Sequence, residues 1–590
     1  MTGFSSTPSR ALFLTVSIWG SWWPQGLRAW TLPIVGGYRR GRRSATITTL
    51  LPWRSMGTSV SHRNRWVEEY ALDTYSAASA PELSSSSSSS ITSPPPVLAP
   101  ARFVAFPFAY RQEIELVIET LTNRGWGLGR YTLPSSVVSV TSTAPAATAP
   151  AAAEQADSTA TGLPTSLADA TDNDDVSEDS TASTTRWVVM VPNVIPGERV
   201  RVAVFRNFNN YSEADLVTVL EPSPDRVVPH CPLAADCGGC QLQHVSIESQ
   251  RRWKTTLVQE GLAQYGLTDV TVAPTLGTDQ TYGYRSKLTP HYDAPAKQRR
   301  GRVEPESVAA INNNSNNNNN NKMIEAIGFQ KMTSRKIINV ETCPIATPAI
   351  NAKYQQTRQE LMSQPSKRKK GATLLFRQGN ADDDYVETNH QQPLTTTVRG
   401  LNFTYLAGNF FQNNYYVLPL MVEHVLARAV GDDHEQPTMT HLADCYCGSG
   451  LFAIAAAPSF ATVVGIEIND KAVREAQANA ERNGIDHCQF LAASSENIFA
   501  EIRDFPRDTT VVVLDPPRKG CSVEFLSQLY DFAPRRIVYM SCDPTTQARD
   551  AQGIVAAGYR ITSVQPFDLF PQTRHIECLM VLERSPAPGV

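Results

Sequence analysis

No cysteine precedes Cys231 in this chain of 590 residues, and its 10 cysteines are too sparse for a disulfide scaffold. No apolar stretch approaches the roughly 20 residues of a membrane-spanning helix, so no membrane partner is expected. No Asp or Glu stands before Glu68, whereas Arg10, Arg28, Arg39, Arg40, Arg42 and Arg43 already do. An Arg-rich, Ser/Thr-rich start without acid is the signature of a mitochondrial transit segment, and a disordered basic tail has the same composition. The reading is a mitochondrial protein with an optional second pool in cytoplasm or nucleus. Net charge is only −4, so the chain as a whole offers a polyanion no general attraction.

Composition divides what remains. Residues 1–100 read as unfolded, with a serine run from Ser84 to Ser90 followed by Pro94-Pro95-Pro96. Residues 105–221 read as a small β-barrel, with order beginning near Arg111 and Gly125-Trp-Gly-Leu-Gly129 supplying turns. Its strands are Glu113-Ile-Glu-Leu-Val-Ile118, Trp187-Val-Val-Met-Val191, the run from Gly197 to Val204, and the run from Ala214 to Leu220. An Ala/Ser/Thr/Pro-rich and then acidic insertion over 135–185 cannot build a core. Residues 222–395 form a central α+β region with a cysteine cluster, a poly-Asn run from Asn316 to Asn321, and basic runs at Arg299 to Arg302 and Lys367 to Lys370. Such runs are solvated loops or RNA contacts. From 400 to 590 strand and helix alternate, which predicts a doubly wound, Rossmann-like α/β domain.

The chemistry lies in that last part. Asp444-Cys-Tyr-Cys-Gly448-Ser-Gly450 is a strand running into a glycine turn, where missing side chains let backbone approach a cofactor. Glu467 ends the next strand, at the distance where an acid accepts ribose hydroxyls. The absence of a full Gly-x-Gly-x-x-Gly argues against a dinucleotide; S-adenosylmethionine carries no pyrophosphate and needs no such loop. The apolar run Thr510-Val-Val-Val-Leu514 then delivers Asp515-Pro516-Pro517-Arg518, and Arg536-Ile-Val-Tyr-Met540 delivers Ser541-Cys542-Asp543-Pro544. Two strand ends therefore bring a carboxylate and a thiol to one crevice.

A lone cysteine is ordinarily a small buried hydrophobe. Here a proline stops the strand just past the thiol and fixes its turn. Enzymes that methylate exocyclic amines also carry Asp-Pro-Pro but need no thiol. Carbon 5 of uracil is too weak a nucleophile to attack a sulfonium methyl unaided. A thiolate added to carbon 6 creates the enolate that can, and a base must then remove the carbon-5 proton. Cys542 is the candidate nucleophile and Glu577, at the start of the closing strand, the candidate base.

The motifs Asn409-Phe-Phe-Gln412-Asn413-Asn414, Asp444-x-Tyr446-Cys-Gly-x-Gly450, Glu467, Asp515-Pro-Pro-Arg518, Ser541-Cys542-Asp543-Pro544 and Phe570-Pro-Gln-Thr-x-His575-x-Glu577 together resemble the S-adenosylmethionine-dependent RNA uracil-5-methyltransferases. The resemblance implies that Gln412, Tyr446, Glu467 and Asp515 hold S-adenosyl-L-methionine, with Cys542 as nucleophile and Glu577 as proton acceptor. Leu451 stands where the family often has Asn, which puts one cofactor contact in question. The strands of 113–221, with Pro196-Gly-Glu, resemble the family's TRAM (OB-like) RNA-binding barrel. Cys231-x5-Cys237-Gly-Gly-Cys240-x-x-x-His244, with Cys343, resembles its iron–sulfur segment, which implies a [4Fe–4S] cluster; zinc also accepts four thiolates. The stretch from Cys343 to Asn351 is most similar to eukaryotic tRNA members, which implies uridine 54 of tRNA as target, with rRNA as the alternative. Other readings are an amine methyltransferase and a non-catalytic tRNA-binding or folding protein. The target base must be flipped from its stack, with Phe410 or Phe411 stacking on it or packing in the core. A monomer is expected.

Overall fold

The computed structural model describes residues 100, 103, 105–134, 186–294, 296–297, 322–363, 370–431, 438–494 and 497–585. The basic start, the acidic insertion, the poly-Asn run and the basic runs up to Lys369 lie outside these residues. The described part begins before Arg111: Phe108 is already buried in the core of the first barrel.

Strict alternation makes that barrel. In β1 (Glu113–Leu121) Ile114, Leu116 and Ile118 turn inward while the glutamates face out. With β2 (Gly127–Thr132), β3 (Arg186–Val191), β4 (Arg199–Asn207) and β5 (Tyr211–Glu221) it closes in the order β1-β2-β3-β5-β4. Thr132 pairs with Arg186, so the 135–185 insertion leaves and re-enters the barrel at paired positions. The glycine stretch differs from the turn reading. Only Gly125 sits in a turn, at φ +71°; Gly127 and Gly129 lie in β2, where a Cβ would strike Ile118 and Leu116 at 2.8 and 2.2 Å.

The central region contributes helices α1 (Ile247–Gln264) and α2 (Pro348–Ser363) and several strands of two or three residues. The hairpin of β6 (Pro393–Val398) and β7 (Leu401–Leu406) then leads through α3 (Leu418–Val430) to the α/β sheet. Its strands are β8 (His441–Cys445), β9 (Thr462–Glu467), β10 (Cys488–Ala492), β11 (Thr510–Leu514), β12 (Arg536–Ser541), β13 (Tyr559–Phe567) and β14 (Glu577–Arg584). The spatial order is β10-β9-β8-β11-β12-β14-β13, with the first five parallel and β14 antiparallel to both neighbours. Every residue of β11 and β12 is buried, because helices cover both faces of the parallel part. One face packs α3, α4 (Leu451–Ala456) and α5 (Asp470–Arg482). The other packs α1, α6 (Val523–Phe532) and α7 (Pro544–Ala556). Asn469 caps α5 as its side chain accepts from Lys471 N, and Gly484 follows the helix at φ +70°.

The loop between β13 and β14 is fastened from outside the sheet. From α1, Lys254 Nζ donates to Asp568 Oδ1 at 2.6 Å, with both side chains fully buried. Gln250 and Gln572 exchange bonds: Gln250 Nε2 donates to Gln572 Oε1 at 3.0 Å, and Gln572 N donates to Gln250 Oε1 at 2.9 Å. Tyr284 OH donates to Pro571 O, and Asn414 Nδ2 to Leu569 O. Burial pulls the Lys254 ammonium below its usual range while Asp568 holds it up. A buried ion that loses its partner costs about 3–5 kcal/mol. Lys254→Met is therefore expected to lower the free energy of unfolding by about that much, and Lys254→Met/Asp568→Leu to recover most of it. A Lys254→Met loss below about 1 kcal/mol in urea titrations would show that the pair does not hold the loop.

Candidate active site

The carboxyl ends of β8, β9, β11 and β12 open into one cavity of about 1030 Å³. All ten residues singled out from the sequence line it: Gln412, Tyr446, Glu467, Asp515, Cys542 and Glu577 together with Cys231, Cys237, Cys240 and Cys343.

The glycine turn forms as the sequence implies, but it starts one residue earlier than a strand running through Tyr446 would allow. β8 ends at Cys445, and Tyr446 starts the turn at φ +68°, a conformation costly for a residue with a bulky side chain. Its ring packs tilted on Phe525 at 5.5 Å. A Cβ on Gly448 would meet nothing within 4 Å, so backbone there faces open cavity. Glu467 secures the turn by accepting from Gly448 N at 3.3 Å and Asn469 N at 3.0 Å. Glu475 on α5 accepts from Ser449 Oγ and from Asn409 Nδ2, tying the turn to the Asn409–Asn414 segment. Phe411 of that segment is a core residue, stacked on Tyr405 at 4.4 Å, whereas Phe410 is 75% exposed at the cavity. Leu451 is buried at the cavity wall and begins α4.

The cavity is rich in acceptors. The buried Oδ1 atoms of Asn413 and Asp444 have no hydrogen-bond partner among the described residues. Burial alone raises Asp515 to about 7, and burial raises Asp444, just behind the turn, to about 8. A small molecule presenting ammonium, hydroxyl and amine donors and a positive charge fits this set, and S-adenosylmethionine is such a molecule. Gln412, Tyr446, Glu467 and Asp515 all line this cavity.

Cys542 sits half-buried just after β12, and Glu577 opens the neighbouring strand β14. Burial pushes the thiol up to about 12, with Glu577 and Asp515 adding to the rise. The positive charge of Arg518 opposes them. Burial raises Glu577 to about 8, Asp515 raising it further and Arg518 lowering it. His575 is held neutral, down to about 3, by burial and by Arg518, Arg574, Lys254 and Arg285.

Two residues that sequence reasoning did not single out complete the geometry. Arg518 lay within a quoted motif but was given no role; it is the cation beside the thiol. Asp550 gave no sequence signal. It is buried on α7, where it accepts from Cys521 N and Tyr539 OH, both at 2.8 Å, and from Arg549. Arg549 Nη2 donates to Lys519 O and Thr546 Oγ1 to Arg518 O. The helix that follows Cys542 thus grips the loop that follows Asp515. Asp543 caps the same helix, with Pro544 at its first turn.

The four cysteines lie at the far side of the cavity. Burial raises all four thiols, Cys240 to about 12 and Cys343 to about 11, and Cys237, Cys240 and Cys343 also feel the charge of others of the set. His244 faces elsewhere, its Nε2 at 3.2 Å from Val194 O. Among the described residues no three His, Cys, Asp or Glu side chains converge on a single metal ion.

The raised carboxyls set a pH dependence. Between the ordinary value of 4.5 and the folded value of about 8, an unfolded chain has lost the Glu577 proton while the folded chain keeps it. Stability therefore falls as pH rises through that window. Glu577→Gln should match wild type near pH 4 and gain on it progressively towards pH 8, by on the order of a few kcal/mol. Parallel stability–pH curves for the two proteins, measured without ligands, would refute the buried carboxyl.

Residues 347–585 match the family tRNA (Uracil-5-)-methyltransferase. The chain is 35% identical over 415 residues to the tRNA (uracil(54)-C(5))-methyltransferase of Schizosaccharomyces pombe, covering 68% of this chain and 74% of that protein. It is 31% identical over 457 residues to the enzyme of the same name from Saccharomyces cerevisiae, covering 68% and 69%. A solved structure, Pyrococcus abyssi tRNA (uracil-54, C5)-methyltransferase in complex with S-adenosyl-L-homocysteine, aligns over 67% of this chain and 95% of its own at 21% identity and a TM-score of 0.48. With a thiol, a buried carboxyl and an acceptor-lined cavity set at the ends of its sheet, the chain belongs to the tRNA (uracil-5-)-methyltransferase family.

Proposed function

We propose that this protein methylates carbon 5 of uridine 54 in tRNA, using S-adenosylmethionine. The observation that carries the reading is the placement of Cys542 and Glu577 on adjacent strand ends in one cavity with Asp515. An amine methyltransferase has no use for that thiol and base. When bound, S-adenosylmethionine supplies an electrophilic methyl group. Cys542 Sγ forms a bond to carbon 6 of the flipped uracil, and carbon 5 becomes the nucleophile. Once carbon 5 carries the methyl, the Glu577 carboxylate takes its proton, the carbon 5–carbon 6 double bond re-forms, and the carbon–sulfur bond breaks, releasing the Cys542 thiolate. Arg518 favours the thiolate. A neighbouring positive charge favours the ionised form of Glu577, as the base step requires.

The barrel, with Pro196-Gly-Glu in its loop, reads as a TRAM-like RNA-binding module. The four cysteines suit a [4Fe–4S] cluster better than zinc. A zinc ion with bonds of about 2.3 Å would draw all four sulfurs into a tight tetrahedron, and no such convergence exists among the described residues. A cube spreads its thiolates farther apart.

In assays with uracil-5-tritiated tRNA, wild type should release tritium only when S-adenosylmethionine is present. Cys542→Ala should form no covalent RNA adduct, and Glu577→Gln should accumulate one that survives denaturing gels. Absence of release from any tRNA by holoprotein, or full turnover by Cys542→Ala, would sink the reading. Anaerobically purified protein should hold about four iron and four acid-labile sulfide per chain. Cys240→Ser should lose both, and stoichiometric zinc in their place would reverse the assignment.

A further inference from the structure

We propose that Asp550 is a positioning residue for the reaction: from α7 it sets where Arg518 stands relative to the Cys542 thiol, an inference that rests on the function proposed above. The helix α7 starts two residues after Cys542, with only its cap Asp543 between them, so the thiol is tied to the first turn of that helix. Arg518 belongs to a different connection, the loop 515–522 between β11 and α6, which has no regular structure of its own. The charge of Arg518 lowers both the thiol and Glu577. Coulomb energy falls with distance, so where the guanidinium stands decides how strongly it acts.

One face of α7 holds the loop. Thr546, Arg549 and Asp550 stand three and four residues apart, which places them on the same side of a helix. Thr546 Oγ1 donates to Arg518 O at 3.1 Å, Arg549 Nη2 donates to Lys519 O at 2.9 Å, and Asp550 Oδ2 accepts from Cys521 N at 2.8 Å. Between these anchors Gly520 turns at φ +75°, its N–H donating to Pro517 O at 2.8 Å. A Cβ there would lie 2.6 Å from both Arg549 Nη2 and Asp550 Oδ2, so the loop backbone lies directly against these two side chains.

Asp550 is the centre of the arrangement. It is 1% exposed, and each of its oxygens accepts twice. Oδ2 takes Cys521 N and Tyr539 OH, both at 2.8 Å; Oδ1 takes Arg549 Nε at 2.9 Å and Nη2 at 2.6 Å. Those donors fill the acceptor sites of an ionised carboxylate. Tyr539 lies on β12, three residues before Cys542. One side chain therefore joins the strand that delivers the thiol, the helix that follows it and the loop that carries the arginine. An asparagine at this position would turn an NH2 group towards donors, either Cys521 N and Tyr539 OH or Arg549, and release one side of the junction.

The test is a double-mutant cycle of Asp550→Asn with Arg518→Met. It is read in single-turnover methylation of tRNA and, without RNA, in the rate at which iodoacetamide alkylates Cys542 at about pH 8.5, followed by the mass of its peptide. Asp550→Asn alone should slow methyl transfer by about 100-fold, the cost of a misplaced group. It should also slow alkylation of Cys542, because the displaced arginine no longer favours the thiolate. In the Arg518→Met background the same change should slow either reaction by less than about twofold, since what Asp550 positions is already gone. Should Asp550→Asn fail to fold, the exposed Arg549→Met runs the same cycle with an expected loss of about tenfold. Equal slowing with and without Arg518, or wild-type rates in Asp550→Asn, would overturn the positioning role. Tritium release by wild type is scored separately. No release removes the proposed function; additive alkylation rates remove the positioning, whichever way release falls.

Discussion

The buried pair of Lys254 and Asp568 is the contact on which the crevice depends. Asp568 follows β13 directly, and the loop it begins ends at Glu577, the first residue of β14. A loop of that length has many conformations that keep both strands paired. Only some keep its middle close to the thiol. The ion pair, the Gln250–Gln572 exchange and the bonds from Tyr284 and Asn414 select one of them. All four anchors come from upstream of the sheet's own strands. A sheet and its helices alone would form the strand ends without fixing what stands between them.

The same loop connects the cysteine quartet to the chemistry. Gln241 and Leu242, immediately after Cys240, both donate backbone N–H bonds to Gln572 O. Gln241 Oε1 accepts from Arg574 N. Whatever fixes the positions of the four thiols fixes this short stretch, and through it the loop that carries His575 and leads to Glu577. The cluster proposed for these thiols would act on that loop through these backbone contacts. Four raised thiols crowded at one end of a cavity are also costly to ionise together unless a cationic group binds them.

The sheet was legible because its parallel strands are buried on both faces and read as unbroken apolar runs, as in Thr510 to Leu514. The thiol just past Met540 was legible for an equally local reason. Gly127 and Gly129 were misread as turn residues because their cause is non-local: side chains of β1 occupy the space a Cβ would need. Asp550 was invisible for the same reason. Its partners Cys521 and Tyr539 are 29 and 11 residues away, and no spacing rule links them. Phe410 and Phe411 are adjacent and chemically identical, so only the packing on Tyr405 could tell the core ring from the exposed one.

The thiol and the carboxyl also regulate one another. Glu577 and Cys542 cannot both be charged cheaply, because both are buried and the Glu577 charge raises the thiol. Among the described residues Arg518 opposes these rises at both groups. A protonated thiol is a poor nucleophile and resists adventitious oxidation. Bringing positive charge into the acceptor-lined cavity lowers every one of these groups at once: Asp515, Glu577 and Cys542. The chemistry needs first a thiolate and then a carboxylate, and both become accessible only when the cavity is filled.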